Sequence, residues 1–219
     1  MNTALIDIDG TLFNSNSTFD FLDTLPHGRW YKYYKKISFS ILGRIINKLS
    51  IITLHKDVVR IIGISCLKGY SRKQLIDLGE KFYEDFLESR KNDEVFDILE
   101  STKGNGTRIV LASATLDFLS EIICRRVGAS AAIATELYYE DDLCLGTIAK
   151  DRLGHKKTAL IESGVSFPVD LIITDNVTDA ALLPLCRYKV IIVYPRERKK
   201  WGKILEAGKY QDVKFICYE

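Results

Sequence analysis

The 219-residue chain has few of the residues that punctuate or staple a fold: four prolines, one methionine, two tryptophans and three histidines. Its five cysteines (Cys66, Cys124, Cys144, Cys186 and Cys217) are odd in number and far apart. No pair has CxxC or metal-ligand spacing, which excludes a disulfide framework and a zinc site and predicts reduced, mostly buried thiols. His27, His55 and His155 are equally scattered and form no metal motif. The longest uncharged apolar runs, such as ISFSILG at 37–43, fall far short of the ~20 residues that span a bilayer, so a transmembrane helix is excluded. The N-terminus has neither a charged leader nor a cleavable apolar segment. No signal peptide is expected, and a cytoplasmic location is. Low-complexity tracts and internal repeats are also missing.

Acidic residues are almost absent from one region. Residues 28–73 hold eleven Lys or Arg against the single acid Asp57, a charge of +10, which leaves −8 on the rest of a chain whose net charge is +2. Asymmetry of this size suggests a separate module with its own partner.

What is present is an ordinary globular composition, 47% hydrophobic and 27% charged, on a chain long enough for a sizeable core. ALIDI (4–8), RIVLASA (108–114), DLIITD (170–175) and YKVIIVY (188–194) read as buried parallel strands, and DVKFICY (212–218) as an edge strand. Helical patterns lie between them, over 116–127 with Gly128 as a stop and over 155–163 with Gly164 closing. A short hairpin is expected near 138–148. Alternating strands and helices predict an α/β fold with a parallel sheet.

Residues 14–90 break this rhythm and read as a helical insertion. Ile41, Leu42, Ile45, Ile46, Leu49 and Ile52 share one helical face, with Arg44, Asn47 and Lys48 off it. Residues 71–90 form a further amphipathic helix with Ser71 as its cap.

In an open α/β sheet, ligands bind at the carboxyl ends of the strands. There the first strand delivers Asp7 and Asp9, the second Ser113, and the third Asp175 with Asp179 a turn later; the helix from 155 adds Lys156 and Lys157. Clustered carboxylates repel unless a cation intervenes, and oxygen-only ligands favour a hard ion such as Mg²⁺. A hard cation, a lysine and a hydroxyl suit a phosphoryl group, and a spare carboxylate can serve as nucleophile. A second carboxylate two residues on projects to the same side and can carry protons.

DIDGTLF resembles motif I of the haloacid dehalogenase-like superfamily in its phosphatase branch. VLASATLD (110–117), LGHKKTALIE (153–162) and IITDNVTDAALL (172–183) resemble motifs II, III and IV, in the family's order. The resemblance implies a Rossmann-like three-layer parallel-sheet core, residues 1–13 and 91–219, with an inserted helical cap of the C1 type at 14–90. It implies a Mg²⁺-dependent phosphomonoester hydrolase working through an aspartyl-phosphate. Asp7 would be the nucleophile and Asp9 the acid and base. Asp7, Asp175 and the main-chain carbonyl of Asp9 would bind the metal, with Asp179 supporting it. Gly10, Thr11, Ser113, Ala114 and a lysine would bind the phosphate, and the G-x-x-K form of motif III selects Lys157 over Lys156. The chain departs from the family in having Thr174 where motif IV usually has Gly, and Gly10 where the related phosphoserine phosphatases usually have Ser.

The basic insertion leaves the substrate open between a soluble and a lipid-linked phosphomonoester, with peripheral contact to an anionic membrane at its inner face through residues 28–73 as one reading. Its aliphatic face otherwise packs on itself or a partner. Nucleic acid is not expected. A non-catalytic binding module, or phosphotransfer to an acceptor other than water, are the alternative functions.

Overall fold

Strands that carry apolar side chains on both faces need cover on both sides. In a computed structural model of the chain, which describes residues 2–26, 29–54 and 56–218, one seven-stranded sheet meets that need. His27, Gly28 and His55 lie outside the described residues. The strands are β1 (Thr3–Ile6), β2 (Arg108–Leu116), β3 (Ala131–Glu140), β4 (Leu143–Lys150), β5 (Val169–Thr174), β6 (Cys186–Val193) and β7 (Val213–Cys217), in the order β4-β3-β2-β1-β5-β6-β7. Every pairing is parallel except β3 with β4. β1 lies centrally, with Leu5 opposite Val110 on one side and Ile172 on the other.

Alternation along β1 splits the core into two layers. Ala4 and Ile6 join one apolar cluster, and Leu5 joins the other with Val110 and Ile172. The first layer holds α6 (Asp93–Gly104) and α7 (Asp117–Arg126); the second holds α8 (Lys156–Glu162) and α9 (Arg198–Gly208). Gly128 and Gly164, past the ends of α7 and α8, have φ of +66° and +77°, the left-handed conformation that suits glycine after a helix.

The expected hairpin is longer than 138–148 and belongs to the main sheet. β3 runs parallel to β2 and then turns into β4 through Asp141 and Asp142, both at positive φ. Its first half, AAIAT, lacks the β-branched density of the other strands, and the open edge of β2 recruits it instead. No disulfide forms: Cys144 and Cys186 are buried, Cys66 and Cys124 half-buried, and Cys217 exposed.

The insertion leaves and rejoins the sheet at one place. Asn14 N–H donates to the Arg90 carbonyl at 2.8 Å and Asn92 N–H to the Leu12 carbonyl at 2.9 Å. Between these points lie α1 (Ser17–Thr24), α2 (Arg29–Ser38), α3 (Ile41–Leu54), α4 (Val58–Ile64) and α5 (Arg72–Phe82), the last continuing through further helical turns to Arg90. Ser71 caps α5 as expected, in a reciprocal box with Gln74. α1 and α5 share the core of the sheet: Phe21 meets the Phe118 ring edge-on at 5.1 Å, and Gly79 lies so close to α7 that a Cβ there would sit 2.6 Å from Ile122. α2 joins them through the buried Tyr31 and Tyr34, but α3 does not follow that pattern. Gly43 and Ser50 face inward, while the aliphatic residues of α3 face out.

Candidate active site

The end of β1 is fixed before any side chain acts. Asp7 N–H continues the ladder to the Ile173 carbonyl at 3.0 Å, and the chain then turns through Gly10 at φ +70°. A Cβ on Gly10 would lie 2.3 Å from Asp175 Oδ2, so this position is glycine both for its backbone angle and for the carboxylate beside it. Tyr194 donates to the Gly10 carbonyl at 3.0 Å, and the indole N–H of Trp201 to the Asp175 carbonyl at 3.1 Å. Neither aromatic stood out in the sequence.

The Asp7 carboxylate is held at both oxygens. Oδ1 accepts from Ile8 N–H at 2.8 Å and Oδ2 from Lys156 Nζ at 2.6 Å. Lys156 also donates to Asp179 Oδ2 at 2.8 Å, and that same oxygen accepts from the Thr174 hydroxyl at 2.7 Å. All three charged groups are buried, so the ammonium offsets two carboxylates that could not otherwise be dehydrated together. Burial pushes the Lys156 pKa down, but Asp7 and Asp179 outweigh it and hold the ammonium above its usual range. Burial also keeps Asp179 above the ordinary carboxylate range, against the pull of Lys156.

Two expected placements are corrected here. Lys157 is exposed and Lys156 makes the contact. On α8, Lys156 shares a face with the buried Ala159 and Leu160, three and four residues on, whereas Lys157 shares one with Ile161, which is 56% exposed. Thr11 is buried beneath the site, not lining it. Its hydroxyl accepts from Asp175 N–H at 3.0 Å and lies 3.1 Å from Asp175 Oδ1, and its own N–H donates to the Ile8 carbonyl.

Asp9 sits in a separate network. Its Oδ1 accepts from Ser17 N–H at 2.8 Å and its Oδ2 from the Thr115 hydroxyl at 3.0 Å. Thr115 is 2.9 Å from the Ser113 hydroxyl and 3.1 Å from that of Ser17. Burial pushes Asp9 up to about 6, with the Ser17 and Thr115 bonds pulling the other way. Burial and the nearby Asp7 charge push Asp175 up to about 7.

A cavity of about 720 Å³ opens over this end of the sheet. Asp7, Asp9, Gly10, Ser113, Ala114, Lys156 and Asp175 border it from the sheet edge, and Phe19, Asp57 and Arg60 from the insertion. Arg60 is the group that site reasoning missed, because the sequence shows it only as one cation among eleven. Its guanidinium crosses to the core, donating to Asp151 Oδ1 at 2.8 Å, the Ala114 carbonyl at 2.7 Å and the Thr135 hydroxyl at 2.8 Å.

Residues 4–184 match the haloacid dehalogenase-like hydrolase family. The chain belongs to that family. Among curated proteins, the chain is 24% identical over 204 residues to phosphoserine phosphatase SerB1 of Mycobacterium tuberculosis, with 86% of the chain covered. It spans 64% of that relative's length. Among solved structures, a protein of unknown function from Bordetella pertussis superposes with a TM-score of 0.70 at 20% identity, covering 97% of this chain and 98% of that one. A phosphoserine phosphatase in its apo form superposes with a TM-score of 0.55 at 13% identity, covering 87% and 86%. The shared fold is the Rossmann-like α/β sheet flanked by helices.

Proposed function

We propose that the protein is a Mg²⁺-dependent phosphatase that hydrolyses a phosphomonoester, small or lipid-linked, through an aspartyl-phosphate on Asp7. The observation that carries the reading is the clamped Asp7 carboxylate at the floor of a cavity shared with a second carboxylate, Asp9, that has its own hydroxyl network. Family membership and the curated phosphatase relative support it.

In this reading Asp7 attacks phosphorus and the ester bond breaks, with Asp9 giving its proton to the departing oxygen. Asp9 then takes a proton from water, whose oxygen attacks the phosphorus, and inorganic phosphate leaves with Asp7 restored. A pKa of about 6 suits a group that must both give and take a proton near neutrality. Ser113 and Lys156 bind the phosphoryl oxygens, and Asp179 and Thr174 orient Lys156. Residues 14–90 act as a cap whose Phe19, Asp57 and Arg60 face the substrate.

The donors fit a hard cation. Among the described residues, no three acidic, His or Cys side chains form a metal-holding group. The set proposed here is two carboxylates, Asp7 and Asp175, and the Asp9 main-chain carbonyl. Mg²⁺ is commonly held by one or two carboxylates plus waters and substrate phosphate. When bound, it would neutralise phosphoryl oxygens and relieve the Asp7 repulsion that adds to burial in raising Asp175.

The test is phosphate release from para-nitrophenyl phosphate and a panel of natural phosphomonoesters, with Mg²⁺ and with a chelator. Release that requires Mg²⁺ is expected. A protein inert towards every substrate would favour the binding-module alternative.

A further inference from the structure

The amphipathicity of α3 is inverted. The residues it turns toward α2 and α4 are small or polar: Gly43, Asn47 and Ser50. Gly43 sits against the end of α2, where a Cβ would lie 2.2 Å from the Ile37 carbonyl. Asn47 accepts from Val59 N–H at 3.1 Å, and Ser50 donates to the Lys56 carbonyl at 2.7 Å. The aliphatic side chains point away from the protein: Ile41 is 80% exposed, Leu42 67%, Ile52 60% and Leu49 55%. Ile37 and Tyr33 of α2 are 65% exposed beside them. Monomeric proteins seldom leave a contiguous apolar surface of this kind uncovered.

Charge indicates what covers it. Between residues 29 and 56 the chain has seven Lys or Arg and no acid. Pairing this surface with a second copy would set like charge against like. At 14 residues α3 is about 21 Å long, too short to cross the ~30 Å hydrocarbon core, and among the described residues no helix is long and apolar enough to do so. A helix with an aliphatic face and flanking cations matches a helix lying in the plane of an anionic lipid surface. The patch also reaches the cavity: Phe39, between α2 and α3, meets the Phe19 ring edge-on at 5.6 Å, and Phe19 lines the cavity.

We propose that α2 and α3 form a docking surface for an anionic lipid bilayer, with the aliphatic side of α3 in the headgroup region and Lys32, Lys36, Arg44 and Lys48 against the lipid charge. Docking there places the cavity mouth beside the lipid surface. The proposal stands independently of the phosphatase reading, because binding and phosphate release are measured separately.

The test is co-sedimentation of the full chain with phosphatidylcholine vesicles, alone or with phosphatidylglycerol, at low and physiological salt. Sedimentation with the anionic vesicles and not the neutral ones is expected, weakening as salt rises. Ile45→Asp with Leu49→Asp should reduce partitioning at least tenfold and leave thermal unfolding and release from a soluble aryl phosphate unchanged. Lys36→Gln with Lys48→Gln should weaken the preference for anionic lipid. Absence of binding at low salt, or binding unaffected by the aspartates, overturns the proposal. So does a wild-type dimer in light scattering that the aspartates dissociate while vesicle binding is absent, since that would assign the surface to a second copy.

Discussion

Two apolar segments of this protein have opposite fates. ALI, at the start of β1, is buried on both faces and delivers Asp7 and Asp9 to a fixed position. The equally aliphatic ILGRIINKLSII of α3 leaves its large side chains exposed and buries Gly43 and Ser50. Hydrophobicity alone does not separate them. The strand is enclosed because sheet pairing brings β2 and β5 alongside it and helices above and below. The helix meets its neighbours through its smallest residues, which allows close approach of backbones and leaves the aliphatic face for something else. The first segment positions two carboxylates at the cavity; the second builds a surface.

Substitutions can sharpen the contrast. The largest effect is expected at Asp7. Asp7→Asn should lower the proposed Mg²⁺-dependent phosphate release by roughly 10³-fold or more, because the proposed nucleophile is lost while the fold is retained. Lys156→Met should follow. Removing the buried cation leaves Asp7 and Asp179 uncompensated, so denaturant unfolding should show a loss of about 3–5 kcal/mol together with the loss of turnover. Lys157→Met should stay within about 0.5 kcal/mol and keep activity. Ile6→Ala, at 0% exposure, should cost about 2–4 kcal/mol from transfer and cavity formation. Arg60→Met should cost about 2 kcal/mol through its three lost hydrogen bonds, and should raise KM more than it lowers kcat if α4 positions the substrate. Smallest of all, Ile45→Ala should change stability by less than about 0.5 kcal/mol, since the side chain is already half in water. A cost at Ile45 matching that at Ile6 would erase the contrast between the two segments.

Most of the sheet edge was legible in the sequence because each of its strands is a dense apolar run ending in a polar residue. Asp7, Asp9, Ser113 and Asp175 line one cavity for that reason. Lys156 was not distinguishable from Lys157, because Leu160 and Ile161 are both apolar and either lysine has one of them four residues on. Only packing of α8 on the sheet decides which face is inward. Thr11 looked like part of a phosphate-binding turn, but its hydroxyl is committed to Asp175. β3 was half-hidden because its Ala-rich first residues have little strand preference of their own. The sequence leaves the orientation of α3 open between packing on a neighbour and contact with a membrane. Its aliphatic stripe is the pattern of a buried helix, and what reverses it is the close fit of Gly43, Asn47 and Ser50 against α2 and α4.

The central claim is that Asp7 carries the phosphoryl group. Asp9→Asn offered an aryl phosphate tests it most directly. An aryl oxide leaves without much help from an acid, so Asp7 can still be phosphorylated, while attack of water on the acyl-phosphate loses its base. After acid quench and peptide mass spectrometry, a phosphoryl group is expected on the peptide containing Asp7, and it should disappear when Asp7→Asn is added. Continued phosphate release by Asp7→Asn, or a phosphoryl group on any other residue, would contradict it.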